Sequence, residues 1–191
     1  MILGATLAQA KTILVMGDSI SAGYGINAEQ GWVNLLHQKL QAENKAYQVV
    51  NASITGETTA GGLARLDAIL ASAKPDIMLL ELGANDGLRG LSPKIMQSNL
   101  TEMIRRAQAV GAKVLLLGIR IPPNYGSRYA EMFYGVYADL AKTLDIGWVP
   151  FLLADVALEK QLMQADGLHP NAEAQPVMLA TIWPHLAPLL K

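Results

Sequence analysis

The sequence contains no cysteine. A disulfide framework, a thiolate metal site and a nucleophilic thiol are all excluded. Charge is scarce: Asp, Glu, Lys and Arg make up 16% of residues, against about a quarter in an ordinary soluble domain. The formal net charge is −1, which leaves no surplus of cations to neutralise a phosphate backbone, so no nucleic acid partner is expected. Long apolar runs are missing too. The longest stretch without a formal charge, Ala174–Leu190, has 17 residues and is interrupted by Gln175, His185 and three prolines. A membrane span needs about 20 apolar residues, so no stable membrane insertion is expected. Histidine is rare, with 3 in the chain, and this narrows the search for a general base.

Hydrophobic residues, at 51%, are present in sufficient number for a sizeable core, which excludes global disorder. A length of 191 residues fits one domain at ~100–200 residues each. Residues 1–10 are uncharged and end Leu7-Ala8-Gln9-Ala10, small residues standing at the third-last and last positions read by signal peptidase. Two readings stand: the remnant of a secretory signal, or an ordinary apolar arm. The first predicts an exported protein, periplasmic or secreted, whose single domain covers 11–191.

Hydrophobic periodicity predicts alternating strands and helices. Thr12–Met16, Tyr47–Asn51, Ile77–Leu82, Val114–Leu117 and Trp148–Phe151 read as strands. Between them, Trp32, Leu35, Leu36 and Leu40 follow a capping box at Asn27 and Gln30; Leu63, Leu66, Ile69 and Leu70 mark a second helix. Ser92 as cap and Pro93 at the first helical position open a third, with Gly111 beyond its end. Tyr129, Met132, Phe133, Val136, Tyr137 and Leu140 give a fourth, and a last one starts near Asn171 with Pro184 as an expected kink. Strands joined by helical crossovers imply a parallel sheet covered on both faces, hence a three-layer αβα protein of the α/β class. In such sheets ligands sit outside the carboxyl ends of the strands.

Those ends hold a consistent chemistry. Gly17-Asp18-Ser19 follows the first strand, Ser53-Ile54-Thr55-Gly56 the second and Gly83-Ala84-Asn85-Asp86 the third; Asp166-Gly167-Leu168-His169-Pro170 precedes the last helix. Ser19 is either a turn residue or a nucleophile. Its own N–H, the backbone of Gly56 and the amide of Asn85 offer three donors to an oxyanion. His169 precedes a proline, which favours extended backbone and restricts the imidazole's direction. Asp166, three positions earlier, is either a turn residue or the carboxylate that orients the ring. As a metal pair, Asp166 and His169 lack nearby third and fourth ligands. The segment around Ser19 is not a G-x-S-x-G elbow, because Ser21 stands where the second glycine would be.

In these four ordered blocks the sequence resembles the SGNH (GDSL-like) hydrolases, from Lys11 to about Leu190. The resemblance implies a flavodoxin-like sheet with strand order 2-1-3-4-5 and a Ser-His-Asp acyl-enzyme mechanism without metal or organic cofactor. It further implies Ser19 as nucleophile, His169 as base, Asp166 as its orienter, and Ser19, Gly56 and Asn85 as the oxyanion hole. The expected substrates are small acyl esters and thioesters, cleaved by a monomer. A carbohydrate acetylesterase of the same fold and a silent acyl-binding module are the alternatives. Leu88 and Leu91 after the third strand and Ile121, Pro122 and Tyr125 after the fourth are either an acyl pocket or loop packing.

Overall fold

The structure, a computed structural model, describes residues 10–190; the signal-remnant reading therefore lies almost wholly outside the described residues. Five strands, β1 (Lys11–Gly17), β2 (Tyr47–Asn51), β3 (Ile77–Glu81), β4 (Lys113–Leu117) and β5 (Gly147–Val149), form one parallel sheet. Their order is β2-β1-β3-β4-β5, the order implied by the resemblance.

Side chains of a strand point alternately to the two faces. Leu14, Met16, Met78, Leu80, Val114 and Leu116 enter one core, while Ile13, Val15, Ile77, Leu79, Leu115 and Leu117 enter the other. Both faces being dry, β1, β3 and β4 are nearly continuous apolar runs rather than alternating ones. The first core is closed by α3 (Thr59–Ala73), α5 (Pro93–Ala109) and α6 (Ser127–Thr143), through Leu66, Leu100, Met103, Ile104, Phe133 and Tyr137. The second is closed by α2 (Trp32–Ala42) and α7 (Gln175–Leu186), through Trp32, Leu36, Leu40, Met178 and Ile182. Each such side chain contributes about 1.5–3 kcal/mol on burial.

Two short helices were not expected: α1 (Ser19–Ala22) and α4 (Ala84–Leu88) start directly after β1 and β3. One turn holds too few residues for an apolar stripe, so periodicity is blind to it. Asn27 does cap a helical turn, accepting from Glu29 N–H (3.1 Å), but that turn is a separate 3₁₀ piece ahead of α2. Ser92 makes no side-chain cap bond at the start of α5, and Met132 is 47% exposed rather than in the core. Asn171 caps a 3₁₀ turn that leads into α7, and α7 runs through Pro184 to Leu186.

Candidate active site

The sheet delivers the strand-end residues to one edge. β1 ends at Gly17, and Asp18 caps α1, its Oδ1 accepting from Ile20 N–H (3.0 Å). Ser19 is therefore the first helical residue, where backbone N–H groups have no partner in the preceding turn. Gly56 sits at φ +78°, left-handed backbone that glycine adopts without strain. The N–H groups of Ser19 and Gly56 make no hydrogen bond among the described residues.

Asn85 occupies the first turn of α4. Asp86 beside it ties α4 to the start of α3, accepting from Thr59 N–H (2.8 Å) and Thr59 Oγ1 (2.6 Å). Asn85 Nδ2 donates to the Glu57 carbonyl (3.0 Å) and to Asp18 Oδ2 (3.2 Å). Arg89 donates to the Gly56 carbonyl (3.1 Å) and so links the second and third strand ends.

The fourth block folds into a tight turn with Gly167 at φ +66°. Asp166 Oδ1 accepts from the N–H groups of Leu168 (2.9 Å) and His169 (3.0 Å). Its Oδ2 lies 2.7 Å from His169 Nδ1, and His169 Nε2 lies 2.9 Å from Ser19 Oγ, 150 positions away in the chain. The hydrogen bond to His169, followed by the backbone bonds, lowers the Asp166 carboxyl from 3.8 to about 2. An ionised carboxylate only accepts, so it holds the imidazole proton on Nδ1 and turns the lone pair of Nε2 toward the Ser19 hydroxyl. Burial pushes the carboxyl of Asp18 up to about 6, and that of the fully enclosed Glu81 well above its usual value.

Several neighbours were not foreseen. The Tyr24 ring lies 4.6 Å from that of His169. Gln164 pins the turn: its N–H donates to the His169 carbonyl (2.8 Å), and its Nε2 to the carbonyls of Tyr24 (2.7 Å) and Pro170 (2.9 Å). Glu81, read as part of an apolar strand, is buried beside Asp18. A carboxylate inside an apolar run was the one available signal.

A cavity of about 270 Å³ opens beside Ser19, Asn85 and His169. Leu88, Ile121 and Pro122 line it, together with Ile20, Ile119, Phe151, Leu153 and Leu168, which were not singled out in the sequence. Leu91 and Tyr125 do not line it. Leu91 is 43% exposed and its carbonyl accepts from Tyr129 Oη (2.7 Å); Tyr125 is 37% exposed and its hydroxyl donates to the Leu88 carbonyl (3.0 Å). Both brace the end of α4 from outside. Arg120, Ile121, Phe151 and Leu168 also border a wider groove of about 820 Å³, in which the Arg120 guanidinium stacks 4.1 Å above the Tyr134 ring. Among the described residues no group of three or more His, Asp or Glu side chains is arranged to hold a metal ion, and no helix is long and apolar enough to cross a membrane.

A five-stranded parallel sheet in this order, with a serine, a histidine and an aspartate converging at its carboxyl edge, defines the SGNH class of hydrolases. The chain belongs to the GDSL-like lipase/acylhydrolase family, whose model matches residues 15–176. It is 55% identical over 183 residues to the esterase TesA of Pseudomonas aeruginosa, covering 96% of this chain and 91% of that protein. To thioesterase 1/protease 1/lysophospholipase L1 of Escherichia coli it is 45% identical, covering 96% and 86%. The crystal structure of a TesA superposes with a TM-score of 0.92 at 54% identity, over 94% of this chain and 100% of that one. The psychrotrophic esterase EstA from Pseudoalteromonas sp., inhibited by monoethylphosphonate, superposes with a TM-score of 0.90 at 44% identity, over 94% and 98%.

Proposed function

We propose that the protein is a serine hydrolase that cleaves carboxylic esters and thioesters by two-step acyl transfer. The observation that carries this reading is the line of hydrogen bonds from Asp166 Oδ2 through His169 to Ser19 Oγ, at 2.7 and 2.9 Å. Ser19 attacks the carbonyl carbon as His169 Nε2 takes its proton, while Asp166 stabilises the imidazolium. The N–H groups of Ser19 and Gly56 and the Asn85 amide receive the oxyanion. His169 then protonates the leaving alcohol or thiol, and water repeats the cycle on the acyl-enzyme. The apolar lining of the cavity supports an acyl chain over a sugar as the group held there, and the names of the relatives, an esterase and a thioesterase/lysophospholipase, support the same class. One catalytic domain over 11–191, acting as an exported monomer on small acyl substrates, completes the reading; Leu7–Ala10 supports the export.

A fluorophosphonate probe and a p-nitrophenyl ester series of increasing chain length, with acetylated sugars alongside, test it. The wild type is expected to take up the probe and turn over the esters. Ser19→Ala is expected to stay folded and lose both properties. A folded Ser19→Ala protein that hydrolyses at the wild-type rate would sink the mechanism.

A further inference from the structure

Two openings meet at the candidate active site. The cavity of about 270 Å³ is lined by Ser19, Asn85 and His169, and the groove of about 820 Å³ passes Gly167 and Leu168, the two residues before the base. A leaving group that takes its proton from His169 departs on the side of the base, and the groove is the open space there. Arg120 lines both openings. It is exposed between the buried Ile119 and Ile121, in a segment tied to β5 and the loop beyond it. Gly118 N–H donates to the Val149 carbonyl (2.8 Å), and the Gly118 carbonyl accepts from Leu152 N–H (2.9 Å). A side chain on Gly118 would run into the Pro150 carbonyl, so glycine is what permits this close approach.

Aromatic rings hold the guanidinium. It lies 4.1 Å from the ring centroid of Tyr134 on α6 and 5.6 Å from that of Phe151 after β5, and the Tyr134 ring is itself 6.4 Å from that of Trp148. Stacking engages the face of a guanidinium and leaves the N–H donors of its edge open. Among the described residues no group accepts a hydrogen bond from the Arg120 side chain and no carboxylate pairs with it, whereas Arg89 donates to the Gly56 carbonyl and Arg106 to Glu102 and Asp67. The groove has no Asp or Glu in its lining, where the other titratable side chains are Tyr134 and His185. Arg120 is therefore a cation set in place in advance, with its fork of donors unmatched.

Such a fork matches a carboxylate or a phosphate. A carboxylate ends a chain, whereas a phosphate keeps a negative charge when esterified on both sides and so fits inside a chain that continues along the groove. We infer that Arg120 is a specificity-determining residue: it binds a phosphate carried by the leaving group while the acyl chain occupies the apolar cavity. The favoured substrates are then acyl esters or thioesters of phosphorylated alcohols or thiols. The phosphate lies away from the reacting carbonyl and is held alike before and during the chemical step, so its contribution falls on KM more than on kcat.

This rests on the hydrolase reading above, and the test separates the two. Two substrate pairs with one short acyl chain, each differing in the phosphate, are compared below micelle formation: a 1-acyl-glycerophosphoglycerol with the 1-monoacylglycerol, and an acyl-coenzyme A with the acyl-N-acetylcysteamine. The quantity read is the ratio of kcat/KM within a pair, for wild type, Arg120→Met, Arg120→Lys and Tyr134→Leu, with circular dichroism to establish folding. Arg120→Met is expected to lower the wild-type ratio about tenfold, the weight of a charge-assisted hydrogen-bonded pair, with KM carrying most of the change. Arg120→Lys keeps the charge without the fork, and Tyr134→Leu keeps the fork without its stack, so both are expected to fall between. The wild-type ratio is expected to shrink as salt is added, and that of Arg120→Met to stay flat. A fall confined to the lipid pair assigns the subsite to a headgroup phosphate, and one confined to the thioester pair to a phosphorylated thiol; either upholds the proposal. Wild-type ratios in folded Arg120→Met, no phosphate preference in the wild type, or failure of both Arg120 variants to fold would overturn it. A wild type that hydrolyses no member of either pair would instead overturn the functional reading.

Discussion

Asp166 and Glu81 are two carboxyl groups driven in opposite directions by their surroundings. Asp166 is accessible and takes three hydrogen bonds, which hold its carboxyl at about 2 instead of 3.8. A lowered folded value means that its contribution to stability is complete above about pH 4 and is lost as the pH falls through about 2. Asp166→Asn leaves room for an amide that donates to Nδ1 and selects the wrong imidazole tautomer, so kcat is expected to fall by on the order of 10²–10⁴ in steady-state assays. Glu81 has the opposite sign. Burial raises its carboxyl from 4.5, so the folded state holds a proton that the unfolded chain releases, and stability declines as the pH rises through 4.5 and beyond. Glu81→Gln is neutral at every pH and can keep the acceptor for Ser21 and Asp18. The difference in melting temperature between variant and wild type is therefore expected to grow in the variant's favour as the pH rises above 4.5, and a difference that does not vary with pH would refute a raised Glu81 carboxyl. At this scale the sequence pointed to side chains that the fold brings together, since Ser19, Asn85, Asp166 and His169 stand at strand ends or before a helix, where function is sought first. It hid Tyr24 and Gln164, which act through ring stacking and backbone carbonyls and have no compositional signature.

At the level of elements, α4 is where expectation and structure differ most. In the sequence, two glycines so close together, Gly87 and Gly90, predict a loop with two hinges. Gly87 is instead a buried helical position, where a side chain would run into Ile121 and Phe133, so its glycine serves close packing; only Gly90, at φ +66°, uses glycine's backbone freedom. The helix turns Leu88 into the cavity and leaves Leu91 outside. Leu88→Ala is accordingly expected to lower kcat/KM several-fold for long acyl esters and hardly at all for acetyl esters, at about 0.8 kcal/mol for each methylene no longer buried. Leu91→Ala is expected to leave both unchanged; equal losses on both substrates for Leu88→Ala would assign the helix to scaffolding alone. Asn171 shows the converse, an element end that was legible in advance. Its Oδ1 accepts from Glu173 N–H (3.0 Å) and Ala174 N–H (3.2 Å), as a cap before an apolar run should. Asn171→Ala is expected to cost about 0.5–2 kcal/mol in urea unfolding.

Across the molecule, the layer order was readable because two dry sheet faces impose unbroken apolar strands, and the same fact concealed Glu81 among Ile77–Leu80. What sequence periodicity could not supply was pairing of helices across a face. That pairing has a consequence in time. On one face α2 has α7 as its neighbour, and the histidine that meets Ser19 stands 150 residues downstream, just ahead of α7. At about 5–20 residues per second, a ribosome needs about 8–30 s to travel from the nucleophile to its base. Throughout that interval the growing chain has a serine without a proton acceptor and a half-bare sheet. On the mechanism proposed above, hydrolytic power arrives only with the final segment, so an unfinished chain is inert toward esters.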